Sequence, residues 1–357
     1  MTGAATADAR PVQVPRAGLA SLGRALLEAA GAPQQAAALV IDHLLEADAM
    51  GLRSHGVMRI PQYLDDIASG GIDPSASPAV TRLAPGRALV DGGKGFGQVV
   101  GIAMTEESVR LAGAAGVAFV AGRHMGHTGR IGAYAEAIAA AGLVGMVVCS
   151  GPRSGHWVAP FGGRAGRLAT NPLAFAFPRR DAPPVVADFS TSVAPEGVIR
   201  SLRNRGLPAP EGALRDAEGH PTTDPEVLYQ SPIGALQPLG GAVGYRGTAL
   251  GMLVDVLAAL LAEDEADDPA RAGSNLAMLA IAADGAFAGR ADRMARYLKS
   301  SPPLDPAHPV LLPGEREQEQ ARRAGGGPVL VDAPTWAALV SRAAGRFALP
   351  TPLPRLE

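Results

Sequence analysis

Cysteine is nearly absent: Cys149 stands alone in a chain of 357 residues. A single thiol closes no intramolecular disulfide and builds no thiolate metal cluster. Its place in the apolar run over residues 143–149 reads as a buried structural residue. A charge excess is missing too, since 32 Lys and Arg face 34 Asp and Glu for a net charge of −2. Without a Lys/Arg cluster the chain lacks the electrostatic footprint that nucleic-acid phosphates demand, so no nucleic-acid partner is expected. No run reaches the roughly 18 apolar residues of a membrane span, and no membrane partner is expected either. Residues 1–15 are small and polar with no apolar signal region. They read as a disordered tail, and a cytoplasmic location is the expectation by elimination.

What is there suits a folded protein that handles small molecules. Apolar residues make up 47% and charged residues 18%, enough for a large core, and the length allows two domains. Residues 16–30 carry Leu19, Leu22, Leu26 and Leu27 at helical spacing, closed by Gly31 and Pro33. A second helical stretch runs from 34 to about 50. Ser54-His55-Gly56 interrupts it before a short helix through Tyr63. Residues 116–121 and 143–149 suit buried strands, with an alanine-rich helix over 131–141 between them.

Two further strands, 173–177 and 185–189, are joined by the polar stretch 179–184 in the manner of a hairpin. Crossover and hairpin connections together predict a mixed sheet. Residues 206–225, rich in Gly, Pro and Asp, read as a long loop. Residues 248–261 read as a helix buried all round, and the acidic run 263–268 as a solvated loop. A strand over 276–282 and a surface helix over 290–298 follow. Beyond an extended proline-rich stretch at 302–313 and a glycine break at 325–327 come a strand at 329–331 and a last helix from about 334 to 344.

Several motifs carry no chemistry. Residues 92–97, Gly-Gly-Lys-Gly-Phe-Gly, have neither the Walker nor the Rossmann spacing and read as a turn. His124 and His127 lack the carboxylate or cysteine partners of a zinc site, so no metal is expected. Ser154-Gly155-His156 is no nucleophile elbow. His43 reads as a packed or surface residue of its helix, and His220 and His308 fall in loops.

Two segments are richer. Along Ser54-His55-Gly56-Val57-Met58-Arg59-Ile60-Pro61-Gln62-Tyr63, a helix puts Arg59 and Tyr63 on one face beyond the Ser-His-Gly turn. The hydroxyl, imidazole, guanidinium and phenol form either a grip for a carboxylate and a neighbouring oxygen, or a solvated helix face. Arg123-His124-Met125-Gly126-His127-Thr128-Gly129-Arg130 follows a strand and opens a helix. Its histidines suit proton transfer to an alkoxide, and they suit helix capping equally well.

Taken with Asp48-Ala49-Met50-Gly51-Leu52-Arg53, Ala159-Pro160-Phe161-Gly162-Gly163, Thr170-Asn171-Pro172, Asp188-Phe189-Ser190-Thr191-Ser192, Pro221-Thr222-Thr223-Asp224-Pro225 and Leu312-Pro313-Gly314-Glu315, these segments resemble the type 2 malate/lactate dehydrogenase family. The match runs from about Ala47 to the C-terminal region. The resemblance implies an α/β (α+β) fold distinct from the Rossmann type. A helical domain (16–75 and about 300–357) packs on a mixed-sheet cofactor-binding domain (76–299), and a homodimer completes the site. It implies an NAD- or NADP-dependent oxidoreductase that interconverts a small 2-hydroxy acid and its 2-oxo acid, with a small carboxylate as its partner.

By position, His127 resembles the acid/base histidine, and Ser54, His55, Arg59 and Tyr63 the substrate-gripping set. Ser150, Asp188, Phe189, Ser190, Arg246, Gly314, Glu315 and Arg316 resemble cofactor contacts, with Asp188 ordering either the cofactor or the histidine. Departures from the family pattern are Val198 in place of a lysine after Gly197, Arg246-Gly247-Thr248 in place of Lys-Gly-Tyr, and Ser190 in place of alanine. Two rival readings follow: a cyclic imine carboxylate reductase, which needs the same hydride and clamp, and a non-catalytic descendant.

Overall fold

A computed structural model describes residues 11–264, 273–345 and 347. The chain opens with β1 (Val12–Val14), α1 (Arg16–Ala29), α2 (Gln34–Ala49) and α3 (Ile60–Ala68). Then come β2 (Ala79–Ala84), β3 (Arg87–Gly95), α4 (Gly97–Ala115), β4 (Val117–Met125), α5 (Gly132–Ala140) and β5 (Leu143–Ser150). The hairpin β6 (Leu173–Phe177) and β7 (Val185–Phe189) leads to α6 (Glu196–Asn204) and the short strands β8 (Leu214–Arg215), β9 (Pro221–Thr222) and β10 (Ala235–Leu236). Last are α7 (Tyr245–Ala258), β11 (Ser274–Ala282), α8 (Phe287–Lys299), α9 (Glu315–Ala324), β12 (Val329–Val331) and α10 (Ala333–Ala344).

The leucine spacing of α1 does what its period dictates. Leu19, Leu26 and Leu27 are fully buried, packed with Ile41, Leu44, Ile60 and Leu339 in one core. Both arms of the chain build that core. β1 pairs antiparallel with β12, Val12 opposite Val331 and Val14 opposite Val329. The expected tail over residues 1–15 is therefore corrected: 12–14 form a strand, because two alternating valines gain a partner only from the far end of the sequence. Residues 1–10 lie outside the described residues.

The seven-stranded sheet has the order β2-β3-β4-β11-β5-β6-β7. β3 and β4 run parallel, and the remaining neighbours are antiparallel. The sheet is mixed, and β11 is threaded between the two strands of the β4–α5–β5 unit. α4 and α5 cover one face, with Ile138 of α5 in the same core as Val90, Val120 and Val147 of the strands. α7 covers the other, with Val254 and Ala258 packed on Val148 and Ala277.

Three expectations are corrected here. The stretch 206–225, expected as a long loop with turns, also carries two short strands, since β8 pairs with both β9 and β10. α7 is buried along one side only, with Met252, Leu253 and Val256 between 42% and 58% exposed. Residues Tyr245–Ala262, 18 in number with a mean hydropathy of 1.4, are also long and apolar enough by composition to span a membrane. In the fold this stretch lies on the sheet, and its Asp255 takes a hydrogen bond from the Ser150 hydroxyl. Of the acidic run, Glu263 approaches Arg123 at 3.6 Å, and 265–268 lie outside the described residues.

The glycine-rich run at 92–97 positions the site. Gly93 and Lys94 take left-handed backbone (φ 57° and 65°), turning the end of β3 toward α4. At Gly97 a Cβ would stand 2.5 Å from the Gly126 carbonyl oxygen and 2.6 Å from that of His127. Only glycine lets the first turn of α4 lie this close to the histidine loop.

Candidate active site

The Ser54–Tyr63 segment is folded around one carboxylate. Asp48, near the end of α2, accepts the Val57 N–H at 2.8 Å. A Cβ at Gly56 would fall 2.0 Å from Asp48 Oδ1, so the turn requires glycine. Burial raises the Asp48 pKa from 3.8 to about 7. Within the turn, Ser54 Oγ lies 3.0 Å from His55 Nδ1. Arg59 is buried, donating from Nε to the Ser54 carbonyl at 2.7 Å and from Nη1 to Gln62 Oε1 at 2.7 Å. Among the described residues, both hydrogens of Nη2 and one of Nη1 have no hydrogen-bond partner and could meet a ligand carboxylate. Nη2 faces Gly197 of α6, where a Cβ would stand 2.9 Å away.

The second segment meets the first. His127, just beyond β4, stacks on His55 with ring centroids 5.7 Å apart. Its Nδ1 lies 2.7 Å from the Tyr63 hydroxyl and accepts the Gly129 N–H at 3.3 Å. Gln98 of α4 donates from Nε2 to that same hydroxyl at 2.7 Å. Tyr63 is thus wholly buried, its hydroxyl held between His127 and Gln98. His43, expected as a packed or surface residue, is buried, and its Nε2 accepts the Arg130 N–H at 3.0 Å, fastening the histidine loop to α2. His124 is bonded instead to Asp91 at 2.9 Å, on the exposed side of the strand.

The imidazoles of His43, His55 and His127 are neutral near pH 7. Burial and then the Arg59 guanidinium lower His55 to about 3, and the same two causes hold His127 well below 6.5. Burial and then Arg130 bring His43 to about 4. A fixed cation, neutral imidazoles and a hydroxyl are therefore gathered at one place. Polar side chains from the helical layer and the sheet meet there.

A cavity of about 450 Å³ opens beside it, lined by Leu52, Phe175, Asp188, Phe189, Gly314 and Gln318 among others. Its aromatic walls and size suit a flat heteroaromatic ligand. Gly314 (φ 86°) closes on the Val186 carbonyl, which a Cβ would meet at 2.7 Å. Asp188 Oδ2 accepts the Gly132 N–H at the start of α5, at 2.8 Å, and makes no hydrogen bond to His127 among the described residues.

The other positions expected to touch a cofactor do not line this cavity. Ser150 is engaged by Asp255, and Ser190 bonds the Ser192 carbonyl. Glu315 is held by Lys299 at 2.8 Å, and the Arg316 side of α9 is exposed. Arg246 lies against its neighbour Tyr245 at the start of α7, on the opposite face of the sheet from α5. Of the departures, Thr248 accepts the Phe161 N–H at 2.9 Å and Val198 is 37% exposed on α6.

Sequence reasoning passed over Gln98, Asp48 and the role of His43. Asp48 stood inside a quoted motif but carried no assignment, and nothing local marks the other two.

Known proteins resemble this chain in sequence and fold. Residues 14–340 match the family model for malate/L-lactate dehydrogenase. The chain is 35% identical over 308 residues to the L-lactate dehydrogenase of Cupriavidus necator, covering 83% of this chain and 87% of that one. It is 37% identical over 250 residues to a Delta(1)-pyrroline-2-carboxylate/Delta(1)-piperideine-2-carboxylate reductase of Pseudomonas putida, covering 70% and 71% respectively. The solved structure of malate dehydrogenase from Pyrococcus horikoshii superposes with a TM-score of 0.84 at 27% identity, over 99% of this chain and 100% of that one. The chain belongs to the type 2 malate/L-lactate dehydrogenase family.

Proposed function

We propose that this protein is an NAD- or NADP-dependent oxidoreductase interconverting a small 2-hydroxy acid and its 2-oxo acid at the cleft between Arg59 and His127. The observation that carries the reading is the meeting of a buried guanidinium, with N–H groups that no described residue engages, and a neutral imidazole that stacks on a second one. Arg59 takes the substrate carboxylate through Nη2 and the spare Nη1 hydrogen. His55, oriented by Ser54, steadies the C2 oxygen. His127 supplies the proton to that oxygen in reduction and removes it in oxidation.

The cavity beside Asp188, Phe189 and Gly314 would hold the nicotinamide cofactor, which supplies or accepts a hydride when bound. Asp188, fixed by the start of α5, orders the cofactor side of the cleft. A carboxylate-bearing cyclic imine would meet the same clamp, and the kinship to the Pseudomonas reductase favours it as a second substrate class. The protein acts as a cytoplasmic homodimer in this reading, the exposed apolar side of α7 facing its copy.

The test is a panel of 2-oxo acids, their amides and cyclic imine carboxylates, run with NADH and NADPH. His127→Ala is expected to lower turnover by about 10²–10⁴-fold, with cofactor affinity by fluorescence titration nearly unchanged. Arg59→Lys is expected to lower kcat/KM about tenfold, since an ammonium keeps the charge but loses the planar fork. Amides reacting as well as acids on the native enzyme would exclude a carboxylate clamp. Failure to bind either nicotinamide cofactor would leave a non-catalytic descendant.

A further inference from the structure

We infer that Gln98, acting through Tyr63, dictates which ring nitrogen of His127 carries the proton, and so poises the substrate-free enzyme to donate. The inference rests on the reading of His127 as the acid/base group. It starts from a backbone group whose role cannot be exchanged. The Gly129 N–H points at His127 Nδ1 from 3.3 Å, and an N–H can only donate, so this long contact favours a bare Nδ1 and leaves the shorter Tyr63 contact to fix it. The Tyr63 oxygen, 2.7 Å from the same nitrogen, must then be the donor.

A phenol has one hydrogen. With that hydrogen committed to Nδ1, the remaining neighbour of the Tyr63 oxygen must itself donate, and Gln98 stands there at 2.7 Å. Its amide nitrogen therefore faces Tyr63. The amide oxygen is left buried with no partner among the described residues. Leaving that acceptor unpaired is unfavourable, and the cost is borne where the direction of a hydrogen bond matters. Gln98 and Tyr63 are both fully buried, so solvent cannot supply a substitute donor.

The neutral ring is thereby held with its proton on Nε2, the nitrogen that no described group engages. A 2-oxo oxygen placed there meets a hydrogen-bond donor, and as Nε2 gives up its proton the Tyr63 hydroxyl hydrogen moves to Nδ1, so the ring stays neutral and the Gln98 amide N–H faces the phenolate oxygen left behind. Oxidation needs the reverse tautomer, with Nε2 free and Nδ1 protonated. Tyr63 would then have to accept from Nδ1, and its own hydrogen would face the amide N–H of Gln98. Gln98 is a positioning residue, and its effect falls on turnover and not on substrate binding.

Nuclear magnetic resonance of isotope-labelled histidine ring nitrogens reads the tautomer without substrate or cofactor, with His127 assigned by its loss in His127→Gln. The native protein is expected to show Nε2 protonated and Nδ1 bare. A protonated Nδ1 overturns the inference without recourse to any Gln98 variant. Gln98→Met removes the donor at similar volume. It is expected to mix the two tautomers and to lower kcat for 2-oxo acid reduction about tenfold, with KM changed less than about threefold. An unaltered His127 signal in Gln98→Met would reduce Gln98 to a space-filling residue and overturn its role. If Gln98→Met does not fold, Tyr63→Phe must show the same mixing, and an unchanged tautomer there overturns the relay. Should no 2-oxo acid be reduced at all, the function proposed above fails while the spectra still decide this one.

Discussion

Asp48 shows how one buried acid couples the site to pH. Its carboxyl has a pKa near 7 in the folded chain against 3.8 when exposed. The unfolded chain therefore loses this proton at lower pH than the folded one does. The stability associated with the raised pKa is fully present below pH 3.8 and is lost as pH rises through 7. His43 and His55 act with the opposite sign. Their pKa values are depressed from 6.5 to about 4 and about 3, so their contribution is present above pH 6.5 and is lost as pH falls through the folded values. Asp48→Asn keeps an acceptor for the Val57 N–H and removes the titration. Its denaturation midpoint relative to the native protein is expected to rise between pH 5.5 and pH 8.5, measured by urea unfolding at both. A difference that stays constant with pH would show that Asp48 is not the group that titrates.

Between elements, close approach is bought with glycine. At Gly101 of α4 a Cβ would stand 2.4 Å from the Tyr134 ring of α5, and the Tyr134 hydroxyl donates to the Thr128 carbonyl beside His127 at 2.6 Å. Gly101→Ala is expected to destabilise the fold by about 1–3 kcal/mol, the usual range for overpacking, and to lower turnover by disturbing that hold. Thermal unfolding with parallel assays checks this, and an unchanged midpoint would mean that Tyr134 moves aside freely. Elements with a regular burial pattern were legible in the sequence. α1 was readable from its leucines, and β6 and β7 from short apolar runs bounded by polar residues. β2 was not, because it is exposed along its whole length and carries no alternation. Nor was α4, which buries Gln98, Thr105, Glu107 and Ser108 and so shows no clean apolar stripe. The same holds within the site. The Ser54–Tyr63 and His127 segments announce themselves locally, but Gln98 meets Tyr63 across 35 positions and His43 meets Arg130 across 87. Such meetings exist only after the sheet and the helical layer have packed together.

For the molecule as a whole, α7 leaves Met252, Leu253 and Val256 exposed along one side, with Leu260 a turn further on at 54%. Burying this face against a second copy would account for an apolar helix that one chain covers only in part. Leu253→Glu is expected to shift the protein from dimer to monomer in light scattering. A native protein that is monomeric at micromolar concentration would exclude the arrangement. The antiparallel pairing of β1 with β12 has a consequence of another kind. On the ribosome, the strands of the central sheet emerge before residues 329–331, so that sheet can assemble while the partner of β1 is still unmade. The helical core, which draws on Val14 and Leu19 from one end and on Val329 and Leu339 from the other, has to wait. Arg59 rides on that core. Tyr63, which sets the proton of His127, belongs to it as well, so a nascent chain would neither poise its proton donor nor hold a substrate before the strand at 329–331 is made.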